Sequence, residues 1–228
     1  MRYVIKAGST SIMVDSGLYF DPQNPRAIDV DIDDIAHSAG QTVRFNGHTT
    51  RPITTAEHMA RVGRIAGAIA PPGFADESRF WGHIHDAHEA FTPWGDCLSP
   101  GKTSEMREVE GRIDAAIVQR LLGWPLHPSD EARTAVRRAD VIALYFEAML
   151  WQRHGSDWAI ALFGESPPDN SLLPLIAPRR GETLVESLVS NTWVGAAWLR
   201  ELWRIWPAGL SQRDPPISRY IQRDGASS

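Results

Sequence analysis

The chain has 228 residues, a formal net charge of −5, and 43% apolar against 22% charged residues, an ordinary globular composition. That length suits one domain with a core of its own, or one domain plus a tail. The acidic balance excludes duplex nucleic-acid binding driven by phosphate neutralisation, and the single cysteine, Cys97, excludes an internal disulfide framework and fits a reducing compartment.

The N-terminal stretch MRYVIKAGSTSIMVDSG lacks the apolar core of a secretory signal. No apolar run approaches the roughly 20 residues needed to span a bilayer. A cytoplasmic protein with no membrane partner is expected.

Residues 1–28 alternate weakly and carry Gly8, Gly17, Pro22 and Pro25, which predicts a short hairpin or irregular lead-in. The acid-rich run Asp29-Val30-Asp31-Ile32-Asp33-Asp34 starts a first helix, where the helix dipole favours negative charge, and Gly40 ends it. A loop, QTVRFNGHTTRP, follows. Pro52 to Ala70 reads as a second helix, capped by Thr54 or Thr55 and stopped by Pro71-Pro72-Gly73. Its apolar residues Ala56, Met59, Ala60, Val62, Ile65, Ala66 and Ile69 recur at helical spacing.

A third helix is predicted over Glu77–Phe91, ended by Pro93, and a fourth over Ser104–Leu122 after the polar loop TPWGDCLSPGKTSE. A fifth runs from His127 to His154 behind the start signal Pro128-Ser129-Asp130-Glu131. Pro- and Gly-rich sequence fills 164–181, a last helix spans Thr183–Trp206, and residues 207–228 read as a flexible tail. The expectation is therefore an all-α domain over residues 1–206.

Four side chains stand out on these helices. His58 lies on the second, the adjacent His85 and Asp86 on the third, and Asp140 midway along the fifth, inside the apolar run Ala139-Asp140-Val141-Ile142-Ala143-Leu144. A carboxylate in such a run needs a partner, because an unpaired buried charge is costly. A cation would supply one, and Arg137 or Arg138 is the structural alternative. Imidazole and carboxylate together suit a divalent ion such as Zn, Co, Mn or Mg, and four protein ligands of this kind leave room for water. Such an ion lowers the pKa of water and polarises a phosphoryl oxygen. Glu89, three residues beyond Asp86 and on the same helical face, is the candidate proton-transfer group.

The order His58, then His85-Asp86, then Asp140 resembles the H…HD…D pattern of the HD-domain phosphohydrolase superfamily. The strings IDDIAHSAGQTVRFNGHTT, TAEHMARVGR and HDAHEAFTPWGDCLSPGK are similar to those of its phage and prophage branch, which includes phage dATP triphosphohydrolases and lies near bacterial 5′-deoxynucleotidases. The likeness covers residues 16 to 150 well and weakens beyond. It implies an HD-domain helical bundle, with His58, His85, Asp86 and Asp140 as metal ligands and Glu89 as the catalytic glutamate. It also implies Arg44 and Lys102 on phosphate, Phe45 on the nucleoside and Asp96 on the deoxyribose.

The implied reaction is attack at the α-phosphorus of dATP, giving deoxyadenosine and triphosphate. Hydrolysis of deoxynucleoside monophosphates is the alternative, and a silent nucleotide-binding module is the non-enzyme one. Family members are commonly homo-oligomeric. Two departures stand out. Glu89 and Asp96 are two residues further apart than is usual in the branch, through Pro93 and Trp94, and Gly101 replaces an apolar residue before Lys102.

The remaining residues have plainer readings. His48 follows Gly47 in the matched motif and joins the substrate-binding candidates. His37 and His83 are expected to be structural, and His88, His127 and His154 to face solvent. Trp193, Trp198, Trp203 and Trp206 fit core packing or a subunit contact. Cys97 has no base paired with it, and Arg179-Arg180 fit a solvated loop.

Overall fold

The computed structural model describes residues 10–124, 126–163, 169–176 and 191–206. An antiparallel hairpin of β1 (Ile12–Met13) and β2 (Tyr19–Phe20) leads in, with Ile12 opposite Phe20 and Met13 opposite Tyr19. Buried Phe20 stacks on Phe91 at a centroid distance of 4.1 Å and pins the hairpin to the helices.

Among the described residues the α-helices are α1 (Ile32–Ala39), α2 (Thr55–Ile69), α3 (Ala75–Ile84), α4 (Ser104–Leu122), α5 (Asp130–Trp151), α6 (Gly155–Phe163) and α7 (Asn191–Arg204). The domain is all-α with a short hairpin lead-in, as the sequence predicts. No helix among the described residues is long and apolar enough to cross a membrane.

Local chemistry sets most helix ends. Asp31 caps α1 by accepting from the Asp33 N–H, and Ala27–Asp29 forms a separate 3-10 turn ahead of it. Thr54 and Glu57 make a reciprocal capping box at α2. Thr103 and Ser129 cap α4 and α5, and Gly123 closes α4 in a left-handed conformation at φ 85°.

Several helices start two or three residues from the predicted positions, and two end short of them. The third ends at Ile84 rather than Phe91. Asp86 leaves helical geometry at φ −109°, ψ 18°, and Ala87–Ala90 tighten into a 3-10 turn. All four residues of that turn are buried, so the chain gives up the one-sided α-helical pattern to bury consecutive side chains. In a 3-10 turn positions i and i+3 eclipse, so Glu89 still lies over Asp86. The fifth helix stops at Trp151, because Gln152 is extended at φ −91°, ψ 139°, and a distinct helix begins at Gly155. The predicted start at Thr183, the Arg179-Arg180 loop and the tail from 207 lie outside the described residues.

The packing of α2 on α3 brings the central histidines together. A Cβ added at Gly63 would stand 2.9 Å from the Arg79 carbonyl oxygen, and one at Gly82 would stand 2.9 Å from the Gly63 Cα. Only hydrogen fits between the two backbones there. Phe80, Ile84, Ile113, Ile117, Leu121 and Trp198 belong to one apolar cluster, and Val62, Ile65, Ile142, Phe146 and Trp151 to a second.

Helix α7 is fastened to this frame by polar contacts. The His83 Nε2–H donates to the Trp198 carbonyl and the Trp198 Nε1–H to the His83 carbonyl, both at 2.9 Å, with the two rings within 7° of parallel. Arg64 Nε donates to Glu201 Oε1 at 2.7 Å. Trp198 therefore packs in the core.

Candidate metal centre and active site

Helices α2 and α5 and the end of α3 place His58, His85, Asp86 and Asp140 around one point. His58 Nε2 stands 3.0 Å from Asp140 Oδ1 and 3.7 Å from Asp86 Oδ2. His85 Nε2 stands 3.2 Å from Asp86 Oδ2 and 3.8 Å from Asp140 Oδ1. The other ring nitrogens are spoken for. His58 Nδ1 lies 3.1 Å from both Glu147 oxygens, and His85 Nδ1 lies 2.8 Å from the Gly82 carbonyl. Both acceptors can only accept, so each Nδ1 carries a proton and each Nε2 faces the centre, where it donates to a carboxylate when protonated and offers its lone pair when not.

This donor set fits a divalent cation. His85 Nε2 is buried with no hydrogen-bond partner, and His58, His85 and Asp86 offer ligand atoms within 4.8 Å of one another. Two imidazoles and two carboxylates are an ordinary first-row set. The His58 side chain is fully buried while that of Asp140 is 43% exposed, so the centre opens on the Asp140 side. That opening is what a catalytic rather than a purely structural site requires.

The protonation equilibria point the same way. Burial works against charge throughout, but the carboxylates raise the His58 pKa and lift that of His85 well above its ordinary value. The same histidines hold Asp86 and Asp140 below the usual carboxylate range despite their desolvation. A cation bound there would take the place of the imidazole protons, which offset the two carboxylates in its absence.

Glu89 is buried beside this centre, and its Oε2 accepts from Thr55 Oγ1 at 2.9 Å. Desolvation first, then the Asp86 and Asp96 carboxylates, raise its pKa to about 7, against the opposing pull of Arg44 and His88. A carboxyl tuned near neutrality can both take and give a proton.

Arg44 and Phe45 sit in a turn in which Phe45 (φ 54°), Asn46 (φ 49°) and Gly47 (φ 75°) are all left-handed. The two non-glycine residues store backbone strain there. Asp96 clamps the turn, accepting from Arg44 Nη1 at 3.2 Å and from the Phe45 N–H at 3.1 Å. Arg44 Nε donates to Glu147 at 3.2 Å, and its Nη1 lies 3.7 Å from Asp86. Desolvation disfavours its charge, but Glu147, Asp96 and Asp86 outweigh that and raise its pKa. Phe45 meets Trp158 edge-on at 6.1 Å.

Lys102 Nζ pairs with Glu110 at 2.9 Å, one step out from the centre. His48 is exposed at the end of the Arg44 turn. The structure thus gathers His58, His85, Asp86, Asp140, Glu89, Arg44 and Asp96, and leaves Phe45, Lys102 and His48 at its margins.

One expectation needs correction. His88 is buried, not solvent-facing: its Nδ1 bonds Asp114 at 3.0 Å and its Nε2 lies 3.8 Å from Glu110, because the 3-10 turn rolls it inward. Those carboxylates, Asp114 foremost, overcome desolvation and raise its pKa to about 9.

Glu147 is the residue sequence reasoning missed. It is fully buried and holds His58, Arg44 and Arg61, the last at 3.0 Å. Burial would push its pKa up, but these three cationic groups, His58 first, bring it down to about 2. It lies seven residues beyond Asp140 in the apolar run Tyr145-Phe146-Glu147-Ala148-Met149-Leu150, two turns along the same face. The reasoning that singles out Asp140 applies equally to it.

Fold and site define a class: an all-helical protein in which two histidines and two aspartates converge on one point, with a protonatable glutamate beside them. An uncharacterized protein of Rhodobacter capsulatus is 30% identical to this chain over 158 residues, which cover 67% of this chain and 79% of that protein. The chain belongs to one family with it. No family profile matches the chain. Among solved structures it is similar to a cyanophage S-2L HD phosphohydrolase (DatZ) bound to dA and one catalytic Zn2+ ion, with 20% identity and a TM-score of 0.44 over 75% of this chain and 93% of that one.

Proposed function

We propose that the chain is a metal-dependent phosphohydrolase of the HD type acting on deoxynucleotides, with dATP, split into deoxyadenosine and triphosphate, as the first substrate to test. One observation carries the reading: two inward-facing imidazole nitrogens and two carboxylates meet at one point, beside a buried glutamate whose pKa lies near neutrality. The choice of dATP rests on the sequence resemblance.

His58, His85, Asp86 and Asp140 would hold the ion, which supplies Lewis acidity toward a phosphoryl oxygen and acidifies water. Glu89 takes a proton from the attacking water, whose oxygen bonds to the α-phosphorus. The bond from that phosphorus to the 5′ oxygen breaks, and Glu89 returns a proton to the departing 5′ oxygen. Arg44 keeps Nη2 without a partner among the described residues, which leaves it to meet a phosphoryl oxygen as charge builds there. Thr55 holds the Glu89 carboxyl by a hydrogen bond, and the Arg44 charge favours its ionised form.

Chromatography of products from each dNTP and each dNMP, with Zn2+, Co2+ or Mn2+ present and Glu89→Gln as control, tests the reading. Deoxyadenosine plus triphosphate from dATP, abolished in Glu89→Gln, supports it. Orthophosphate from monophosphates moves the chain to nucleotidase chemistry. Turnover unchanged in a His85→Ala, Asp86→Ala double variant refutes the metal mechanism.

A further inference from the structure

A cavity of about 350 Å3 lies between the end of α3, the middle of α4 and the start of α5. Trp81, Ile84, Val118, Leu126 and Val136 make its apolar wall, and His85 lines it too. His85 therefore stands between this cavity and the point where His58, Asp86 and Asp140 meet.

Given the hydrolase reading above, on which this rests, we propose that the cavity receives the base of the nucleotide substrate. Its volume falls in the range of small-molecule sites, and its aromatic and aliphatic lining suits a flat heteroaromatic ring.

Polar groups line it too, His127, Arg133 and Arg137 among them, and one of them, Asp114, gives direction. Asp114 bonds His88 through Oδ1 and has no partner on Oδ2 among the described residues, and its side chain is 44% exposed. A free carboxylate oxygen accepts from an exocyclic amine or a ring N–H. Adenine and cytosine offer an exocyclic amine, thymine a ring N–H, and guanine both. The cavity is also distinct from the place the resemblance assigns to the nucleoside. Phe45 packs in the second apolar cluster against Trp158, whereas Trp81, Ile84, Val118 and Leu126 all lie in or against the first.

Gly111 gives a clean way to block it. It lines the cavity, and a Cβ added there meets nothing within 4 Å, so a larger side chain enters without moving the backbone. Gly111→Phe and, should that variant not fold, Ala115→Trp fill the space from α4. Binding of deoxyadenosine, deoxycytidine and thymidine is measured by equilibrium dialysis in Zn2+-loaded protein, beside Zn2+ affinity, KM and kcat, with Phe45→Ala in parallel. The expected result is a loss of at least about tenfold in deoxyadenosine affinity and a matching rise in KM in the blocked variants. Zn2+ affinity should stay within about twofold of the parent.

Unchanged nucleoside binding in the blocked variants, a loss confined to Phe45→Ala, or no nucleoside binding by the parent overturns the inference. Nucleotide turnover by the parent with unchanged binding in Gly111→Phe sinks the cavity assignment and leaves the hydrolase reading standing. Nucleoside binding that the block removes, with no nucleotide hydrolysed by the parent, does the reverse.

Discussion

Replacing Glu147 separates the electrostatics of the centre from its packing. Its carboxylate accepts from His58 Nδ1 at 3.1 Å, Arg44 Nε at 3.2 Å and Arg61 Nη1 at 3.0 Å with no exposure to water. In Glu147→Gln one amide oxygen can still serve one donor, but the amide NH2 then faces another. Arg44 keeps Asp96 and Arg61 keeps Glu57 at 3.1 Å, so neither arginine is stranded. His58 loses the charged acceptor that fixes its tautomer. Loss of such a partner costs roughly 10- to 100-fold in metal affinity, or about 1.4–2.8 kcal/mol. Glu147→Ala leaves buried positive charge uncompensated and costs roughly 3–5 kcal/mol of fold stability. For a chain of this size that lowers Tm by on the order of 10 °C. Competition for Zn2+ against a chromogenic chelator, paired with thermal melts of the metal-free protein, reads both effects. Zn2+ affinity within twofold of the parent in Glu147→Gln, with only Tm falling, would show that Glu147 anchors the fold without orienting His58.

Two further predictions concern groups outside the four ligands. Burial lowers the pKa of His83 to about 4 from an ordinary 6.5. The unfolded chain therefore binds more protons between those values, and stability, complete above pH 6.5, falls as the pH drops toward 4, by about 3 kcal/mol in full. Melts between pH 7.5 and 4.5 should show a shallower decline for His83→Gln; identical slopes would refute this. Asp96→Ala removes both acceptors that clamp the left-handed turn, so hydrogen exchange at the Phe45 amide should accelerate by at least tenfold while amides in the middle of α4 stay protected. Retained protection at Phe45 would mean the turn holds without the clamp.

Helix periodicity and cap residues carried most of the fold into view from sequence. The Thr54 cap of α2 and the Ser129 cap of α5 are local patterns, and local patterns survive in a string of letters. The break at Asp86 was not legible, since an α-helix and a 3-10 turn place Glu89 similarly and differ in what else they bury. For the same reason His88 read as exposed. Glu147 was legible in principle, but its partners come from Arg44, His58 and Arg61, and a contact across roughly 90 residues leaves no spacing to read. The clamp of Asp96 on Arg44 and Phe45 is long-range in the same sense.

The contact between Gly63 and Gly82 has a consequence for how variants of this protein would be interpreted. Neither residue touches a ligand, a proton or a nucleotide, yet any side chain at either pushes α2 from α3, and His58 rides on one helix while His85 follows the other. In a saturation scan scored by activity, these two positions would stand out as sharply as the proposed ligands. A reader of such a map would mark them as part of the active site, when what they set is the distance between its two halves.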